Sequence, residues 1–247
     1  MALKLRVFSI VMIMLFSSII NACAETEEEE AFNKGKDYFN RQMYDEAISE
    51  FSRALEIDPG LAEVYYNRGI TYYSKGNLDQ AISDFNKSIE IKPDDVDSYY
   101  NRGTVYFNKG DLNASISDYT KAIELDANDA EFYYNRGIAY YKKDSLNEAL
   151  FDFNKAIEIN PNYAKAYYNR GFIYSKTNKF DLALVDFSKA IEVNPGLSEA
   201  LYNRSVIYFS RQEYDKAWQD VHQAESLGYV INSVFLEKLK QASGRNQ

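Results

Sequence analysis

One unit of 34 residues recurs six times in this chain, without a single insertion, and that spacing limits the folds open to it. The copies are Glu28–Leu61, Ala62–Asp95, Val96–Asp129, Ala130–Tyr163, Ala164–Leu197 and Ser198–Ile231. A fixed period of this size means that each copy folds as one supersecondary unit and buries its apolar face against its neighbours. The second copy, AEVYYNRGITYYSKGNLDQAISDFNKSIEIKPDD, shows the internal plan. Positions 4, 8 and 11 of the unit, here Tyr65, Gly69 and Tyr72, follow helix spacing. Lys75-Gly76-Asn77 reads as a turn, with glycine free to take a left-handed conformation at a helix end. A second helical series runs through Leu78, Ala81, Ile82, Phe85, Ser88 and Ile89.

The punctuation is equally regular. All four prolines, Pro59, Pro93, Pro161 and Pro195, stand at position 32, where a helix must stop. Position 8 is Gly35, Gly69, Gly103, Gly137 and Gly171, then Ser205, and position 20 is alanine or serine throughout. Glycine within a helix costs roughly 1 kcal/mol relative to alanine. Five such costs at one position imply a close helix–helix approach there.

These residues resemble the tetratricopeptide repeat family. Its pattern places an aromatic at position 4, Gly or Ala at 8, Tyr at 11, Ala at 20, Phe or Tyr at 24, Ala at 27 and Pro at 32. The fourth copy matches throughout, with Tyr133, Gly137, Tyr140, Ala149, Phe153, Ala156 and Pro161. The first copy departs at Ala31, the third at Ala127, and the sixth at Ser205, Val221 and Tyr229. The resemblance implies an all-α fold, a right-handed superhelical solenoid of six helix-turn-helix repeats. Asn232–Ser243 reads as a helix capping that stack, with Val234, Phe235, Leu239 and Ala242 as its apolar stripe and a frayed tail at Gly244–Gln247.

Met1–Ala22 carries Lys4 and Arg6 and then a mostly apolar run to Ile20, too short for a comfortable membrane span and suited to a secretory signal. Its end, Ile20-Asn21-Ala22-Cys23, resembles a bacterial lipobox, and Ala22-Cys23-Ala24 also fits ordinary signal cleavage. Cys23 is the only cysteine and has no disulfide partner within the chain. It is therefore expected to carry a lipid, with residues 23–27 as a short tether. The resemblance implies a cell-envelope protein, with Ala24 favouring the outer membrane of a two-membrane cell.

The net charge of −9, made more negative by loss of the leader, disfavours nucleic acid as a partner. With one histidine, His222, and one cysteine, neither a zinc site nor a His-dependent catalytic pair is credible. No glycine-rich phosphate loop is present. No cofactor, metal or small-molecule substrate is expected, and no enzyme activity.

The informative residues are those the helices do not require. Position 6 is asparagine in all six copies, Asn33, Asn67, Asn101, Asn135, Asn169 and Asn203. Position 5 is aromatic, Phe32 followed by Tyr66, Tyr100, Tyr134, Tyr168 and Tyr202, and position 2 is acidic except at Lys165. These positions share one stripe of the first helix with positions 9 and 12. In the tetratricopeptide family that stripe lines a concave groove for partner peptides. The asparagines are similar to the ladder in the O-linked N-acetylglucosamine transferases, where each amide pairs with a peptide backbone. The function implied is that of a protein-binding adaptor. A pilotin-like factor of pilus or secretion assembly and an accessory subunit of a cell-envelope enzyme are the alternatives. Position 7 is arginine and position 23 aspartate in five copies, and the first copy changes both, to Lys34 and Glu50. A joint change implies that the two positions meet.

Overall fold

A computed structural model describes residues 26–245, and within them lie thirteen α-helices. In chain order they are α1 (Glu27–Asn40), α2 (Tyr44–Ile57), α3 (Ala62–Ser74), α4 (Leu78–Ile91), α5 (Val96–Lys109), α6 (Leu112–Leu125), α7 (Ala130–Lys142), α8 (Leu146–Ile159), α9 (Ala164–Lys176), α10 (Phe180–Val193), α11 (Ser198–Ser210), α12 (Tyr214–Ser226) and α13 (Ser233–Ser243). Every copy of the unit is one helical pair, and the all-α repeat fold expected from the sequence is present. The chain divides into two compact units, one ending at Asn101 and one beginning at Arg102. The first holds α1 to α4 and the start of α5. The second holds the rest of α5 and α6 to α13.

Local chemistry sets the helix ends. Thr26 caps α1 in a reciprocal capping box with Glu29, and Glu27 to Glu30 place negative charge at the positive end of the helix dipole. The turn between the two helices of a copy has a left-handed residue at position 15 every time: Gln42, Gly76, Gly110, Asp144, Asn178 and Gln212, with φ between 58° and 86°. The second helix stops on an extended residue at position 31, such as Asn160 (φ −124°, ψ 93°), as a following proline requires. Asp126 adopts the same shape (φ −138°, ψ 106°) although Ala127 follows it. At Asp58, Asp126, Asn160 and Asn194 the side chain accepts the backbone N–H two residues on, holding the chain for the next helix.

The core repeats with the sequence. In the first unit Ala31, Ala47, Phe51, Ala54, Leu55 and Val64 pack together. In the second, Ala149, Phe153 and Ile173 form one layer and Ala183, Phe187, Ala190, Ala200 and Ile207 another. The position-8 glycines face the aromatic at position 24. A Cβ on Gly35 would lie 2.5 Å from Phe51, one on Gly69 3.0 Å from Phe85, and one on Gly137 2.9 Å from Phe153. The sixth copy makes both changes at once. Ser205 supplies the extra atoms, Val221 removes the ring, and both are fully buried.

α13 closes the second unit, with Phe235 edge-on to Tyr202 and Phe209 at 5.6 Å and Leu239 fully buried. The expected stripe is corrected in part, because Val234 and Ala242 are exposed. The side chain of Asn232 caps α13 at Phe235 N–H, and the phase set there turns Phe235, Leu236 and Leu239 inward.

Positions 7 and 23 meet within one copy. Nε and Nη2 of Arg136 donate to the two oxygens of Asp152, each at 2.8 Å, and the same fork joins Arg68 to Asp84, Arg102 to Asp118, Arg170 to Asp186 and Arg204 to Asp220. Nη1 reaches position 25 of the preceding copy: Arg68 donates to Ser52, Arg136 to Thr120, Arg170 to Asn154 and Arg204 to Ser188. The guanidinium of Arg68 also lies 5.5 Å from the ring centre of Tyr65 and 6.0 Å from that of Tyr72. In the first copy Lys34 turns instead to Glu30 and Glu50 to Arg53. An ammonium lacks the fork that grips both carboxylate oxygens.

Two measurements check this packing. Gly137→Ala should gain about 1 kcal/mol in helix propensity and lose about 1–3 kcal/mol against the Phe153 ring, lowering the urea midpoint. In a Phe153→Val background the same substitution should be neutral or stabilising, and a strictly additive cycle would show that the ring does not set the cost. Arg136→Ala should cost about 3 kcal/mol, because it strands the buried Asp152 carboxylate. The Arg136→Ala/Asp152→Ala double variant should cost clearly less than the sum of the two single changes, and absence of coupling would mean two independent charges.

Candidate functional site

The candidate surface is the stripe that positions 2, 5, 6, 9 and 12 form on the first helix of each copy. Position 5 is anchored from beneath. Tyr66 packs on Phe85, Tyr134 on Phe153 and Tyr168 on Phe187, each with ring centres 5.9 Å apart, and Phe32 packs on Phe51 in the same way. The rings are half-buried and their hydroxyls reach toward the following copy. There the position-6 asparagine meets them. Asn101 Nδ2 donates to Tyr66 Oη and Asn169 Nδ2 to Tyr134 Oη, both at 3.1 Å, and Asn203 Nδ2 donates to Tyr168 Oη at 3.2 Å. The second amide hydrogen of each goes back one turn, to the carbonyls of Asp97, Lys165 and Glu199.

This corrects the expectation that each asparagine serves a peptide as both donor and acceptor. In Asn101, Asn169 and Asn203 both amide hydrogens are engaged within the chain, and the Oδ1 acceptor is what each presents. The tyrosine hydroxyl, which accepts from the asparagine, keeps its own hydrogen to donate. The rung is therefore a two-residue device, with Tyr donating and Asn accepting. The first rung is missing, because Phe32 has no hydroxyl, and Asn67 donates only to the Glu63 carbonyl. Asn33 is exposed, while Tyr100 and Asn135 are half-buried at the equivalent positions of α5 and α7. Tyr202 lies against Tyr229 at 5.2 Å and against Phe235 of the cap.

Burial pushes the Tyr66 phenol up to about 12, helped by the charges of Asp97 and Asp95, and pushes Tyr168 up to about 12 with help from Glu199. Tyr134 is raised by burial. The hydroxyls therefore stay protonated, as donors, at physiological pH.

The stripe borders two open grooves in the first unit. One lies along α1 and α3, lined by Glu28, Glu29, Phe32, Asn33, Lys36 and Glu63. The other lies along α3 and α5, lined by Glu63, Tyr66, Asn67, Lys92, Asp95 and Asp97. In the second unit, lysines at position 13 sit over position-12 rings of the preceding copy, Lys142 Nζ 4.0 Å from the Phe107 centroid and Lys176 Nζ 5.2 Å from that of Tyr141. The sequence signal for these contacts is a spacing of 35 residues, one repeat plus one, which appears only when two copies are laid side by side.

His222 is exposed beside Trp218, and among the described residues no cluster of His, Cys, Asp and Glu could hold a metal ion. No described helix is long and apolar enough to cross a membrane. Cys23 and the leader Met1–Ala22 lie outside the described residues.

Known structures share this architecture. The chain is similar to a crystal structure of MamA, at 28% identity over 71% of this chain and 96% of that one, with a TM-score of 0.60. YrrB, described as a TPR protein with an unusual peptide-binding site, matches at 24% identity over 78% of this chain and 97% of that one, with a TM-score of 0.62. PilF of Pseudomonas aeruginosa matches at 21% identity over 74% and 84%, with a TM-score of 0.66. No curated protein sequence gives a significant match. A TPR repeat model covers residues 35–76, 71–110 and 103–144, and a tetratricopeptide repeat model covers 130–163 and 164–197, the same boundaries as the fourth and fifth copies. With residues 35–197 matched by these models and every copy folded as a helical pair, the chain belongs to the tetratricopeptide repeat family.

Proposed function

We propose that this chain is a non-catalytic adaptor that holds an extended segment of a partner protein along the first-helix stripe of its repeats. The observation that carries this reading is the Tyr–Asn rung. The rung is fixed in place by the chain at half-buried positions of successive copies, so its spare groups are held in a repeating line. Here each pair leaves one hydroxyl hydrogen and one amide oxygen, the complement of a peptide C=O and N–H. The half-buried rings beside them add apolar contact at little entropic cost. Backbone pairing of this kind grips a strand while reading few of its side chains.

We further propose that the protein is exported and held at the membrane by lipid on Cys23, in the outer membrane of a two-membrane cell. The apolar leader and the lone cysteine after Ala22 support this. Several acyl chains give stable attachment where one gives marginal binding.

Capture from membranes with the intact chain, followed by mass spectrometry, should identify the partner. The Asn169→Ala/Asn203→Ala variant, with helical content and melting unchanged, should retain less than about a tenth of that binding, whereas Phe151→Ala on α8 should retain all of it. Undiminished capture by the asparagine variant would place the partner elsewhere. Cys23→Ser should leave the membrane fraction or accumulate with its leader attached. An unmodified mature N-terminus at Glu25 would rule out the anchor.

A further inference from the structure

The two units present different chemistry at equivalent repeat positions. In the first unit the groove along α1 and α3 is bordered by Glu28, Glu29 and Glu63, and the groove along α3 and α5 by Glu63, Asp95 and Asp97. The two lysines there are already committed. Lys92 pairs with Asp95 at 2.8 Å, and Lys36 Nζ rests 4.2 Å from the centroid of Phe32. Phe32 and Lys36 stand one turn apart on α1, so a cation already lies over this ring in a groove that Glu28, Glu29 and Glu63 line. The second unit differs. Its position-13 lysines, Lys142 and Lys176, lie over Phe107 and Tyr141, and Lys165 replaces the acid at position 2. Its position-9 residues are Thr104, Ile138, Phe172 and Val206, where the first unit has Lys36 and Ile70.

We infer that the first-helix face of the N-terminal unit, residues 26–101, is a docking surface for a cationic extended segment, one bearing lysine or arginine at intervals. The inference rests on the reading that these faces hold partner segments, and it assigns the chemistry of one of them. Glu63 is the central residue, since it borders both grooves. An incoming ammonium or guanidinium meets carboxylates on either side and the Phe32 ring, at the place where Lys36 now lies. An acidic segment would meet repulsion from the carboxylates that border both grooves.

The test uses the full chain and two labelled peptides of lysine, serine and glycine or of glutamate, serine and glycine, read by fluorescence anisotropy at low and raised salt. The lysine peptide should bind and the glutamate peptide should not, and binding should weaken as salt rises. Glu63→Gln/Asp97→Asn should weaken the lysine peptide about tenfold and flatten its salt dependence. Glu148→Gln/Glu225→Gln removes the same charge from second helices of the other unit and should change it little. Equal weakening by the two variants would mean attraction to a net-acidic protein and would overturn the inference, as would a lysine peptide that does not bind or ignores Glu63→Gln/Asp97→Asn. If the lysine peptide fails while Asn169→Ala/Asn203→Ala still abolishes partner capture, the charge assignment falls and the adaptor reading stands.

Discussion

A ring pressed against bare backbone is the contact on which five of the six repeats close. Where Phe153 meets Gly137, the two helices approach closely enough that even a Cβ would intrude. The residues beside that contact inherit its geometry. Position 7 precedes the glycine and position 23 precedes the ring, so the approach that joins 8 to 24 also brings Arg136 within reach of Asp152. The ion pair is thus a consequence of the packing as well as a contributor. Desolvation makes such a pair a poor source of net stability, and its bidentate form serves to fix the register between helices. The third nitrogen of the guanidinium then ties the copy to the one before it.

The sixth copy shows that the constraint is a volume and not a residue type. Ser205 and Val221 each depart from the repeat, and separately each would read as decay of the pattern. Together they exchange atoms across one contact, and the Arg204–Asp220 fork beside them keeps its geometry, with distances of 2.7 and 2.8 Å. The third copy makes a smaller adjustment. Tyr119 carries a hydroxyl into the core, and Thr104 on the facing helix α5 meets it at 3.1 Å. Close packing tolerates variation only when both sides of a contact move.

The fold was legible because a period without insertions leaves little freedom in where elements begin. The turns were legible at Gly76 and Gly110 and less so at Gln42, Asp144, Asn178 and Gln212, since a side chain makes the left-handed region costly for glutamine and tolerable for asparagine and aspartate. In α13 the spacing was legible and the phase was not. Helical periodicity says which residues share a face, and the Asn232 cap decides which face turns inward. The joint change at Lys34 and Glu50 revealed that positions 7 and 23 meet, but the link to position 25 of the preceding copy carries no such signature, because serine, threonine and asparagine all serve there. The asparagines were legible as positions. Their hydrogen-bonding state was not, because the hydroxyl that occupies each amide belongs to a tyrosine 35 residues earlier.

That separation determines how the first-helix stripe is built. A rung takes its donor from one copy and its acceptor from the next, so it exists only where two copies are stacked. Phe32, lacking the hydroxyl, leaves Asn67 without a rung, and at the far end Tyr202 meets the apolar edge of Phe235 in place of another asparagine. The hydroxyl hydrogens and amide oxygens of the rungs are therefore products of the interfaces between copies, held by the same packing that stabilises the fold. A partner that bound them would draw neighbouring copies together, and loosening an interface would disarm its rung before the helices themselves came apart.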